Sequence, residues 1–220
     1  MKITISEKNK WHFENKFYQL SEPNRIFKLI YHYEIYKKIS KVNGDFFEFG
    51  VFKGSSIIRF LTFAKLLDKK KRFFYGFDTF GKFPIPQKNY DKKFVKMWKS
   101  KAGDALDDNL LKNIIYKKKL KNFKFVKGDI FFTLDKFLKS YKKKIALLHL
   151  DLDTYDITKF VLKRIYKHLS KKSIILCDDY KSTIGATKAI NEFLKEKNYK
   201  IFILKNHKNP YFILVNKIKN

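Results

Sequence analysis

Short apolar runs rich in Phe, Ile and Val recur at residues 46–51 (FFEFGV), 73–78 (FFYGFD), 123–129 (FKFVKGD), 145–151 (IALLHLD), 173–179 (SIILCDD), 201–205 (IFILK) and 211–216 (YFILVN). Such runs predict strands buried on both faces, since a half-exposed strand would alternate apolar and polar residues throughout. The segments between them repeat apolar residues at near-helical spacing. Ile57, Ile58, Leu61, Ala64 and Leu67 mark a helix over 55–67, and 134–141, 157–169 and 185–197 read the same way. Ahead of the first strand, Ile26, Leu29, Ile30, Tyr33 and Tyr36 give 24–39 one apolar side.

Strands alternating with helices make βαβ units, and these build a doubly wound α/β sheet that is mostly parallel. The last two runs are separated only by 206–210 (NHKNP), too short for a crossover, so they predict an antiparallel hairpin. The expectation is one domain over 1–220 built on a seven-stranded sheet. Residues 1–43 would form a helical N-terminal segment, and the Lys-rich stretch 84–119 an insert over one end of the sheet. No internal repeat or linker interrupts the pattern.

Composition narrows the function classes. At 45% hydrophobic and 18% aromatic, the 220 residues can bury a substantial core and do not read as disordered. The single Cys177 excludes a disulfide framework and any multi-cysteine metal site. There is no apolar run long enough for a membrane span and no signal-peptide core at the N-terminus. A cytoplasmic protein is the expectation.

Charge is the largest anomaly. Fifty Lys+Arg face 21 Asp+Glu, a net +29. A polyanion partner is one reading. Yet only Arg25, Arg59, Arg72 and Arg164 are arginine, and the lysines are spread along the whole chain. Recognition of phosphates and bases favours the bidentate guanidinium. The excess therefore fits codon bias better than a nucleic-acid site, and no specific nucleic-acid partner is expected.

The strand ends carry the chemistry. Ligands of open α/β sheets bind beyond the carboxyl ends of the strands. Here those ends hold Glu48 with Gly50 and Gly54, then Asp78, Asp129, Asp151 with Asp153, and Asp178-Asp179. One strand-end acid is readily a helix cap; acids at every one of these ends point to a site. The turn after the first strand has neither the Lys-Ser/Thr of a phosphate-binding loop nor a G-x-G-x-x-G fingerprint. Asp78, placed to accept ribose hydroxyls, and Asp129, near an adenine amino group, suggest an adenosine ligand with no pyrophosphate to cradle. Asp151, Asp178 and Asp179 should converge from neighbouring strands, and all-oxygen donors suit Mg²⁺ or Mn²⁺. His149, one position out of step with these acids, reads as a structural strand histidine.

The segments GDFFEFGV (44–51) with Gly54-Ser55-Ser56, GFDTF (76–80) with Pro84, LDLDTY (150–155) and CDDY (177–180) resemble the macrocin O-methyltransferase family of class I S-adenosylmethionine-dependent methyltransferases. The resemblance implies a Rossmann-like methyltransferase fold. It places Glu48, Gly50, Val51, Gly54 and Asp78 around the methyl donor S-adenosyl-L-methionine, with Ser56, Phe80 and Asp129 nearby. It also implies Mg²⁺ on Asp151, Asp178 and Asp179, and a sugar hydroxyl on a small molecule as acceptor. A cation lowers the pKa of such a hydroxyl, and Asp151 and Asp153 are candidates to take its proton. Competing readings are an RNA methyltransferase and a non-catalytic basic protein binding nucleic acid or a membrane surface. Self-association stays open.

Overall fold

The computed structural model describes residues 7–68, 72–197, 199, 201–203 and 212–214. Two helices come first, α1 (Glu7–Leu20) and α2 (Pro23–Ile39). Proline opens α2 because the amide it lacks would have no partner in a first turn. The alternation then runs β1 (Asp45–Phe49), α3 (Ser55–Leu67), β2 (Phe74–Asp78), α4 (Asn89–Ala102), α5 (Asp108–Lys117), β3 (Phe123–Lys127), α6 (Ile130–Ser140), β4 (Ile145–Leu150), α7 (Tyr155–Ile165), β5 (Leu169–Cys177), α8 (Ile184–Lys197), β6 (Ile201–Phe202) and β7 (Phe212–Leu214).

The strands lie in the order β3-β2-β1-β4-β5-β7-β6. Five of them, β1 to β5, are parallel. The two short C-terminal strands are antiparallel, β7 to β5 and β6 to β7. The connection expected over 206–210 lies outside the described residues. Strand order reverses between β1 and β4, and this opens a crevice at the carboxyl ends of the sheet.

Alternation along the strands sorts the core into two layers. Phe46, Leu147 and Ile174 pack with Tyr31 and Ile35 of α2, Phe60 of α3 and Leu111 of α5. Phe47, Leu148 and Ile175 pack with Leu134 of α6, Val161 of α7 and Ile190 of α8. The same alternation sets Glu48 beside Phe46 in the first layer, and the register pairs it with His149.

The 84–119 stretch contributes α4 and α5, and an acid of α4 ties it to the start of α7. Asp91 is buried, and its carboxylate accepts the Tyr155 amide at 2.8 Å. Tyr155 begins α7, whose N-cap residue Thr154 makes no side-chain capping bond. Asp91→Ala should therefore cost about 1–2 kcal/mol, the worth of a helix cap. Urea unfolding checks this; an unchanged midpoint would mean that the α7 amide loses nothing.

Candidate active site

A cavity of ≈ 880 Å³ lies across the carboxyl ends of the strands. It runs from Gly128 and Ile130 beside β3 to Asp178 and Asp179 beside β5. Phe94 and Trp98 of α4 line its roof, and Arg25 and Lys28 of α2 line another wall. The volume is at the upper end of small-molecule sites and suits two ligands side by side.

Beneath the β1 end of this cavity the backbone is shaped by Asp78. One carboxylate oxygen accepts the amides of Val51 and Phe52, each at 2.8 Å, and the other accepts Phe80 N at 2.8 Å. Asp78 lines the cavity, but much of its acceptor capacity holds the turn after β1. Val51 and Ser56 also line it. Gly50 has φ +88°, and a Cβ there would lie 1.8 Å from the Asp151 carbonyl oxygen, so glycine is required by the close approach of the β1 and β4 ends. Gly54 has φ +80° and faces the Leu111 side chain instead of the cavity.

Glu48, Phe80 and Asp129, also expected near the donor, are not among the residues lining the cavity. Glu48 is fully buried, where it accepts from Ser56 Oγ and meets His149 Nδ1 at 2.8 Å. It is an inward residue of β1, on the layer that α2 and α3 cover. Phe80 is a core residue packed against Phe125, with ring centroids 4.8 Å apart. Asp129 is the N-cap of α6 and accepts Phe131 N at 2.9 Å.

The acids of β4 and β5 separate into two groups. Carboxylate oxygens of Asp151, Asp153 and Asp179 all lie within 4.8 Å of one another. Asp179 Oδ2 accepts the amides of Leu152 and Asp153 at 2.9 and 2.8 Å, which fixes the loop between β4 and α7. Burial, and then mutual repulsion, pushes all three carboxyls upward; Asp153 rises to about 7. Asp153 also sits in the left-handed region at φ +60°, a strained conformation for a non-glycine residue.

Asp178, in the turn just past the end of β5, faces the other way. It receives Lys28 Nζ at 2.5 Å and Tyr31 OH at 3.2 Å, both from α2. His149 Nε2 stands 3.7 Å from it. Against the effect of its burial, Lys28 and His149 hold the Asp178 carboxyl well below the usual range. Of the expected set of Asp151, Asp178 and Asp179, Asp178 is drawn toward α2 while its charge still acts on Asp151, and Asp153 stands close to the other two. His149 is fully buried between Glu48 and Asp178, which outweigh its burial and push it up to about 10. Lys28, Tyr31 and Asp91 were not visible as site residues, since they sit within ordinary helical patterns.

The family described as Macrocin-O-methyltransferase (TylF) matches residues 32–205. Among solved structures, the O-methyltransferase NovP is 18% identical with a TM-score of 0.75, over 86% of this chain and 79% of that one. The apo structure of CalS11, a TDP-rhamnose 3′-O-methyltransferase of calicheamicin biosynthesis, is 22% identical with a TM-score of 0.69, over 97% and 88%. The methyltransferase PaMTH1 of Podospora anserina, solved with S-adenosylhomocysteine bound, is 13% identical with a TM-score of 0.51, over 97% and 98%. These likenesses establish the Rossmann-like methyltransferase fold. No curated protein sequence matches the chain.

Proposed function

The chain belongs to the macrocin-O-methyltransferase family, and from that premise we propose that it moves the methyl group of S-adenosyl-L-methionine to a hydroxyl of a sugar-containing small molecule, with Mg²⁺ or Mn²⁺ as partner. The observation that carries this reading is one cavity holding both the β1 turn and the gathered acids of β4 and β5. The β1 side suits the donor. Asp78 orders the turn, and α3 begins at Ser55 with no side chain capping its first amides. Those free N–H groups favour a negative group such as an amino-acid carboxylate. On the acceptor, the sugar follows the family and the TDP-rhamnose 3′-O-methyltransferase CalS11.

The residues fit a divalent ion. Asp151, Asp153 and Asp179 offer hard oxygens at one point, and their carboxyls are raised by burial first and then by repulsion, both of which a cation would offset. Asp178, already neutralised by Lys28, borders the same cavity. Such an ion would acidify and fix an acceptor hydroxyl. The chain itself contributes position. The β1 turn holds the donor, the roof from α4 excludes water, and Asp151 and Asp153 lie where the hydroxyl proton must leave.

One experiment tests the reading. Calorimetry should show S-adenosylhomocysteine binding with and without excess chelator, whereas methyl transfer to any working acceptor should stop in chelator. Undiminished turnover in chelator would remove the metal from the proposal. Failure to bind S-adenosylhomocysteine at all would remove the donor.

A further inference from the structure

Arginine is so scarce in this chain that each one invites an explanation. Arg72 is buried and donates to the carbonyls of Ile39 and Val42, both at 3.0 Å, and to that of Gly44. Arg164 pairs with Asp135 at 3.0 Å. Both have structural work. The other two, Arg25 on the first turn of α2 and Arg59 in α3, line the cavity.

Neither has an acid within ion-pair distance among the described residues. Arg59 Nη1 meets only the His32 ring, at 3.2 Å from Nδ1, and Arg25 makes no side-chain bond among the described residues. The two cations are close enough to matter to each other. Burial first, and then Arg25, holds the Arg59 guanidinium below its ordinary value. The other cations of the cavity wall differ. Lys28 is taken by Asp178 at 2.5 Å, Lys99 lies 3.7 Å from Asp104, and Lys53 donates to the Ala102 carbonyl at 2.6 Å.

Two guanidiniums lining one cavity, one half-buried and both without a carboxylate at ion-pair distance among the described residues, form a site for an oxyanion. Their place in the cavity says which ligand would bring it. Both act on the side where α2 meets Asp178, and Lys28 feels Asp178, Asp151 and Arg25 together. That is the side of the cavity where Asp151 and Asp178 lie.

We propose that the acceptor carries an oxyanion, a phosphate or a carboxylate, bound by Arg25 and Arg59 within the same cavity as the hydroxyl to be methylated. This rests on the methyl-transfer reading and adds the class of acceptor to it. The arginines would position the acceptor and take no part in the bond change.

The test is calorimetry on the full chain saturated with S-adenosylhomocysteine, at 150 mM salt or above to suppress general attraction to the basic surface. The probes are glucose 1-phosphate, glucuronate and methyl glucoside. At least one anionic probe should bind, and methyl glucoside should bind at least about 10-fold more weakly, the loss of a charge-assisted contact. The stronger of the two anions identifies phosphate or carboxylate as the source. Arg25→Gln and Arg59→Gln should each weaken that probe by about 10-fold or more and leave S-adenosylhomocysteine affinity unchanged. Lys195→Gln, on the distant α8, should change neither. Four results would overturn the proposal: equal binding of methyl glucoside, binding of no probe, anion binding indifferent to both arginines, or a matching loss of S-adenosylhomocysteine affinity in the arginine variants. The last would assign the guanidiniums to the donor's own carboxylate. Failure of the parent reading looks different, because then the unaltered chain would not bind S-adenosylhomocysteine in the first place.

Discussion

Asp179→Asn should lower methyl transfer by about 10²–10³-fold while leaving the unfolding midpoint and S-adenosylhomocysteine affinity close to their starting values. Asp179 has two separable tasks. Its Oδ2 accepts both the Leu152 and the Asp153 amides, and its charge makes it one of three carboxylates at a single point. An asparagine amide oxygen can accept the same two N–H groups, so the loop after β4 keeps its shape. What is lost is the negative charge. Alanine would be a poorer probe, because it leaves two amides in a buried place without an acceptor, at about 1–3 kcal/mol each. Steady-state rates beside thermal unfolding of the asparagine variant decide the matter. Full turnover would make Asp179 a loop clamp and nothing more.

Gly50→Ala should destabilise the fold by about 4 kcal/mol or more, a drop of roughly 10 °C or more in Tm for a chain of this size. Two penalties combine there. At φ +88° any side chain is strained, and the added Cβ would sit 1.8 Å from the Asp151 carbonyl oxygen. That oxygen is backbone, held by the Asp151 amide bonded to Phe49 at 2.9 Å, so it cannot swing aside as a side chain would. Gly54 provides the comparison. Its nearest obstacle is the Leu111 side chain, at 2.4 Å, which can rotate, so Gly54→Ala should be milder. Equal midpoints for wild type and Gly50→Ala in a thermal melt would refute the steric account.

These two residues show where sequence reasoning succeeds and where it stops. The central parallel strands were legible because burial on both faces leaves runs such as IALLHL, which few other structures tolerate, whereas the edge strand β3 mixes buried and exposed positions. Helices α4 and α5 were not, because a Lys-rich surface helix and a Lys-rich loop look alike in composition. In the site, acids at strand ends were a sound signal for the cavity. Which way each acid faces was not, because Asp178 and Asp179 lie in the turn after β5, where the backbone and not the sequence pattern decides their directions. Glu48 could have been placed by strand parity, since it shares its face with buried Phe46. Gly50, expected beside the donor, lines the cavity, and its missing side chain also leaves room for the backbone that follows β4. Lys28 and Tyr31 left no mark at all. Only folding brings α2 against the end of β5.

The bond from Asp91 to the start of α7 limits how this enzyme could change its acceptor. The roof over the cavity is the segment a protein engineer would exchange first, swapping 84–119 for the corresponding stretch of a relative to alter selectivity. Here that stretch also carries the cap of the helix that follows Asp151 and Asp153. A graft without an acid at that position would loosen the floor while it rebuilds the ceiling. Selectivity and catalytic geometry are inherited together through one carboxylate, so recombination among relatives should succeed most often where the donor segment brings its own equivalent of Asp91.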